Sequence, residues 1–179
     1  MPYEPLPDLA TLSLAEIAAL NAARKLPPVS QWNPQASGDS LMTIRADGRW
    51  FHDGGEIRRP AMIRAFAGLL RREADGGYYL VTPVEKQSIK IEDAAFIATD
   101  VVAQDGALAF RLNTDEVVVA GPDHPLAARG SAELPEIYLA VRNGCEARIN
   151  RSTWLQLVDL ADEDLCVISQ GARFALVPA

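Results

Sequence analysis

Only two cysteines and two histidines occur in 179 residues, and no apolar run is long enough to cross a membrane. Cys145 and Cys166 make neither a CxxC pair nor a dense framework, which excludes a disulfide scaffold; both read as small buried hydrophobes. His52 and His124 do not stand with them at a metal-ligand spacing, and His124 sits in GPDHP, where turn formation suffices, so no metal is expected. No GxSxG elbow, GxxxxGK[ST] phosphate loop or dinucleotide glycine fingerprint is present. The chain does not open with a basic segment followed by an apolar stretch, so no secretory leader is expected.

The balance of charge narrows the partners. A formal net charge of −7 disfavours a broad polyanion-binding surface, so nucleic acid is not an expected partner. With 49% hydrophobic and 23% charged residues, the composition is that of an ordinary globular protein, large enough for one domain or two small packed halves. Cysteine usage and the lack of a membrane span place it, as an expectation, in the cytoplasm.

Along the chain, the three prolines of Met1 to Pro7 suggest a loose arm. Ser13 and Glu16 have capping-box spacing and predict a helix from Leu14 to about Lys25, with Leu14, Ile17, Ala18 and Leu20 inward. Pro27 and Pro28 stop it, and VSQWNPQASGDS reads as a surface crossing. Leu41 to Ile44 and Arg49 to Phe51 flank Asp47-Gly48, a hairpin signal. Pro60 then opens a predicted helix with Met62, Ile63, Phe66, Leu69 and Leu70 on one side and Arg64, Arg71 and Arg72 on the other. Strands are expected at Tyr78 to Val81 and Ser88 to Ile91, with a loop from Thr82 to Gln87 between them. Short strands follow at Phe96 to Val102, Leu108 to Leu112 and Glu116 to Val119. AARGSAELPE reads as a linker, Trp154 centres a further helix, and Gln170-Gly171 joins a last hairpin.

IRADGRWFHDGGEIRRPAMIRAF and LAVRNGCEARINRSTWLQLV both run strand, glycine turn, strand, then amphipathic helix, which suggests a degenerate internal duplication. The expected fold class is α+β: two structurally related repeats of antiparallel hairpins and an amphipathic helix, with an N-terminal helical extension. The expected division is residues 1–40 as arm and helix, 41–121 as the first repeat and 122–179 as a shorter second repeat, packed as one globular unit.

Chemistry-bearing residues gather in the loops of the first repeat. Glu85 and Lys86 lie in TPVEK, Arg58 and Arg59 precede the Phe66 helix, and His52-Asp53 occupies a turn. Lys and Arg together suit a phosphate or carboxylate, and Glu85 can orient a cation or accept a hydrogen bond. The same charges are equally compatible with solvated surface positions.

WNPQASGDSLMTIRADGRWFHDGGEI, PAMIRAFAGLLRRE and YYLVTPVEKQSIKIEDAAF, in that order, resemble the bacterial domain-of-unknown-function family DUF1285. The match runs through Trp32-Asn33-Pro34, Gly38-Asp39, Asp47-Gly48, Thr82 to Lys86 and Ile91-Glu92-Asp93, and on through Tyr138 to Arg148. The resemblance implies a compact α+β structure of two related repeats and a proposed small-ligand or signalling role. It carries over no catalytic residue and no cofactor. The expected function is thus an intracellular ligand-sensing or regulatory domain, with Arg58, Arg59, Glu85, Lys86 and His52 contacting a small polar or anionic ligand. Two alternatives stand beside it: an enzyme using Glu85 or His52 for proton transfer, and a protein-interaction domain using the basic face of Arg64 and Arg71. Exposed sheet edges would also suit a homodimer.

Overall fold

A computed structural model describes residues 8–24 and 26–179; the expected arm and the expected helix end at Lys25 lie outside the described residues. The chain divides into two compact units: one holds Lys25–Phe96 with Arg142–Glu146, and the other holds the described residues up to Arg24, Ile97–Val141 and Ala147–Ala179. In the latter, helix α1 (Leu14–Ala23) opens with the expected reciprocal cap, Ser13 N–H to the Glu16 carboxylate and Glu16 N–H to Ser13 Oγ, both 3.2 Å. Its buried face is narrower than the periodicity suggested. Ile17 is buried with Leu9, Ala109 and Val117, while Ala18 is exposed.

In the first-named unit, strands β1 (Ala36–Ile44), β2 (Trp50–His52) and β3 (Gly55–Ile57) form an antiparallel meander. The β2–β3 turn is Asp53-Gly54, both at positive φ, the primed geometry that matches strand twist. Helix α2 (Pro60–Ala67) takes proline at its start and is capped at Gly68, so Leu69, Leu70, Arg71 and Arg72, all expected on the helix, lie beyond its end. Leu70 is instead the first residue of β4 (Leu70–Arg72), opposite Leu80 of β5 (Tyr78–Val81). Gly68 keeps right-handed helical angles (φ −64°, ψ −18°) and donates its N–H to the Arg64 carbonyl at 3.1 Å, so the helix ends where Leu70 pairs with Leu80 rather than at a special glycine conformation. Strand β6 (Glu85–Ile91) completes a second meander.

The predicted loop from Thr82 to Gln87 contracts to a tight turn. Thr82 N–H reaches the Glu85 carbonyl at 2.9 Å, and Thr82 Oγ1 accepts Glu85 N–H at 3.1 Å. A threonine hydroxyl thus does the turn-closing work assigned to Asn or Gly. The two meanders join where β1 runs parallel to β6, giving the order β3-β2-β1-β6-β5-β4. Strand β1 begins five residues earlier than the sequence suggested. GDS hides this by forming an irregularity between Asp39 and Thr43, where Ser40 Oγ donates to the Ser88 carbonyl (2.7 Å) and accepts Met42 N–H (3.1 Å).

A second six-stranded sheet comprises β7 (Phe96–Gln104), β8 (Ala107–Leu112), β9 (Val117–Val119), β10 (Leu126–Gly130), β11 (Pro135–Arg142) and β12 (Cys145–Ile149), in the order β10-β11-β12-β7-β8-β9. Counted within each set of six, both sheets have the order 3-2-1-6-5-4. The two sheets are therefore related in topology, and the α+β repeat architecture is established. The correspondence pairs β1–β2 with β7–β8, and not with β11–β12 as the similarity of the glycine-turn segments suggested. The expected division at Gly121-Pro122 falls between β9 and β10, inside the second sheet. The supposed linker AARGSAELPE supplies β10 and its tight return; a side chain on Gly130 (φ 78°) would sit 2.6 Å from the Leu134 carbonyl oxygen.

Helix α3 (Arg151–Leu160) starts at Asn150, whose side chain accepts Thr153 N–H at 2.9 Å. The hairpin β13 (Cys166–Ser169) and β14 (Ala172–Ala175) is pinned by fully buried Ser169. Its hydroxyl accepts Leu108 N–H at 2.8 Å and donates to the Ala120 carbonyl at 2.6 Å. Ser169→Ala leaves both backbone groups without that partner and is expected to cost about 3 kcal/mol in urea unfolding. A cost below about 1 kcal/mol would show that the hydroxyl is not the pin.

Candidate functional site

The sequence-nominated residues occupy opposite ends of the first sheet. Ser37 pairs with Lys86 at one end, whereas Ile44, Ile91, Trp50 and Ile57 align near the other, just before Arg58 and Arg59. Five residues along a strand and three strand spacings across put these groups roughly 16 Å apart in one direction and about 14 Å in the other. The structure does not bring Arg58 or Arg59 together with Glu85 or Lys86. Arg58 Nε instead reaches Glu56 at 3.1 Å, and Arg59 is an exposed residue at the start of α2. His52 is exposed at the end of β2, and Glu85 is exposed beside its turn.

Lys86 has the richest surroundings of the five. Its ammonium lies 2.9 and 3.0 Å from the two Glu73 carboxylate oxygens and 4.5 Å from the centre of the Tyr79 ring. Arg71 approaches the same carboxylate at 2.8 Å and donates to the Val29 and Trp32 carbonyls at 3.1 and 2.7 Å. Two cations thus share one half-buried acid, and the cluster fastens the Val29–Trp32 segment beside β4. Arg71 and Arg72 lie on β4, so the expected basic helix face is not formed by one helix.

Arg71 first, then Lys86, hold the Glu73 carboxyl below its ordinary value of 4.5. Because the folded value is depressed, the stabilisation is present above pH 4.5 and is lost as pH falls through the folded value. Thermal melts at pH 6 and pH 3 should therefore differ less for Glu73→Gln than for the wild type. An unchanged difference would remove Glu73 from the acid response.

Each unit carries a concavity among its described residues. In the first, an open cleft of about 430 Å³ is lined by residues that include Asp39, Leu41, Thr43, Asp53 and Lys90. The Asp39 carboxylate serves the backbone, accepting Leu41 N–H at 2.8 Å, and Leu41 and Asp53 both have positive φ. In the second, about 500 Å³ is bounded by Glu133, Leu134, Pro135, Glu136, Ile137, Arg148, Ile149, Arg151 and Trp154. The return from β10 to β11 forms one bank, and the end of β12 with the first turn of α3 forms the other. Leu134 is 76% exposed at the rim.

Arg148 reaches the Tyr138 hydroxyl at 3.0 Å and Glu136 at 3.5 Å. The guanidinium carbons of Arg129 and Arg148 lie 4.5 and 5.3 Å from the Tyr138 ring centre. This wall escaped sequence reasoning because half of it looked like a linker. Its available signal was RINRSTW, a helix cap at Asn150 flanked by Arg148 and Arg151, with an indole at Trp154 one turn on. Among the described residues, no three His, Cys, Asp or Glu side chains are placed to hold a metal ion. Nor is any described helix long and apolar enough to cross a membrane.

Cys145 is buried, and burial pushes its thiol up to about 11. Cys166 is less buried. A maleimide at pH 7.5 is expected to label Cys166 first, and Cys166→Ser should abolish the fast phase. Persistence of that phase would place reactive thiol chemistry at Cys145.

Residues 27–94 match the model described as "Domain of unknown function (DUF1285), N-terminal domain", and residues 95–176 match "Protein of unknown function (DUF1285), C-terminal domain". A crystal structure of a DUF1285 family protein from Silicibacter pomeroyi DSS-3 is similar at 38% identity and a TM-score of 0.76, over 91% of this chain and 95% of that one. A DUF1285 family protein from Shewanella baltica OS155 is similar at 24% identity and a TM-score of 0.56, over 67% of this chain and 91% of that one; this shows a shared fold. No curated protein matches. The chain belongs to the DUF1285 family, and the resemblance read from the sequence is established.

Proposed function

We propose that this DUF1285 protein is a small-ligand-binding domain of the sensing kind, with its site in the groove between the β10–β11 return and the start of α3. The observation that carries the reading is the groove of about 500 Å³, which combines apolar and ionic walls. That volume lies in the range of small-molecule pockets. Leu134 and Trp154 offer apolar surface over buried Ile137 and Ile149, while Arg148 and Arg151 offer donors.

Binding accounts for this wall better than turnover does. Its residues include no histidine, cysteine, serine or threonine, and of its two carboxylates Glu136 is held by Arg148 at 3.5 Å. A domain that holds a ligand without transforming it suits sensing or regulation, the role expected from the sequence. The site is accordingly moved from Arg58, Arg59, Glu85, Lys86 and His52 to the second unit.

Leu134 is largely exposed, so Leu134→Glu alters the groove without a core cost. Ligand-observed NMR against a library of small polar metabolites should find binders that weaken at least tenfold on Leu134→Glu, with melting unchanged. Binders indifferent to Leu134→Glu, or a library with no binder, would overturn the assignment.

A further inference from the structure

The charges lining this groove carry a more specific statement, which rests on the binding reading above. Of its four charged side chains, Arg148 and Glu136 are coupled at 3.5 Å, and Arg148 also donates to the Tyr138 hydroxyl at 3.0 Å. Glu133 and Arg151 differ. Both are exposed, and neither forms an ion pair among the described residues. One acid and one base thus remain for a ligand.

Each stands beside apolar surface. Glu133 precedes Leu134 in the return after β10. Arg151 and Trp154 are three residues apart on α3, which places them on neighbouring positions of the helix surface. The helix end adds little by itself, because the Asn150 side chain already takes Thr153 N–H at 2.9 Å. Selectivity for charge therefore falls to the two side chains.

A simple anion would satisfy Arg151 but meet Glu133 with like charge. A simple cation would do the reverse. From this complementarity we infer that the groove takes a zwitterion with an apolar body: an α-amino acid with an apolar side chain, or a short peptide ending in one. Its carboxylate pairs with Arg151, where a guanidinium can donate two parallel hydrogen bonds. Its ammonium pairs with Glu133, and its side chain lies against Leu134 and Trp154. A free amino acid and a dipeptide share this chemistry and differ in the span between their charges.

Isothermal titration of the full chain with L-phenylalanine, N-acetyl-L-phenylalanine, L-phenylalaninamide and L-leucyl-L-leucine separates the possibilities. The inference expects phenylalanine or the dipeptide to bind at least tenfold more tightly than either blocked analogue. Whichever of the two binds more tightly identifies the source. In Arg151→Gln, phenylalanine and its amide should bind within about twofold of each other, because the carboxylate loses its partner. In Glu133→Gln, phenylalanine and its N-acetyl form should converge in the same way.

A blocked analogue equal to or better than both zwitterions would overturn the ligand class while leaving a binding groove. No heat from any of the four would also overturn the class. If library binders still depended on Leu134 in that case, the binding reading would survive. If the charge variants left the wild-type ranking intact, Glu133 and Arg151 would be ordinary surface charges and the inference would fail.

Discussion

The seam at the middle of each sheet is the constraint on which the rest depends. Three antiparallel strands make a meander whose central edge is open, and a three-stranded sheet by itself is close to the smallest stable unit. Pairing the first strand of each repeat with its sixth joins two meanders into six strands. In the first repeat this seam is the parallel contact of β1 with β6, and the connection between them passes through α2. Ser40 lets the seam absorb the irregularity in β1 by bonding across it to Ser88 and back to Met42. In the second repeat, β7 and β12 are the corresponding neighbours, so the strand order recurs although the local sequences do not.

Legibility followed the range of the interaction. Turn chemistry was visible because it is local: Asp53-Gly54, Asn143-Gly144 and Gln170-Gly171 each place two successive residues at positive φ. The Ser13–Glu16 cap was visible for the same reason. Features decided by distant partners were not. Leu69 and Leu70 continued an apolar period, yet Leu69 lies in the turn after α2 and Leu70 enters β4 opposite Leu80. GDS read as turn residues because the acceptor of the Ser40 hydroxyl lies 48 positions away. Gly130 explains why a supposed linker is a strand and a tight return, through a close approach visible only in three dimensions.

Charge was the least legible property. Five candidate contacts looked concentrated because sequence compresses distance, whereas a six-stranded sheet has width as well as length. Lys86 and Arg71 share an acid, and Arg58 has its own. The groove of the second unit inverts this arrangement, since two of its charges are spent on each other and two are left beside an indole and an exposed leucine. The proposed binding site rests on this combination, although neither half of it forms a sequence motif.

Trp154 supplies the most direct test of that account. Its indole nitrogen is buried without a hydrogen-bond partner among the described residues, and its ring borders the groove, whereas Trp32 and Trp50 belong to the other unit. The three indole N–H resonances of 15N-labelled protein can be followed while the small-molecule fraction of a bacterial extract is added. The account predicts that the Trp154 resonance moves and saturates while Trp32 and Trp50 stay in place. A stationary Trp154, with or without movement of the other two, would contradict a ligand site at the β10–β11 return.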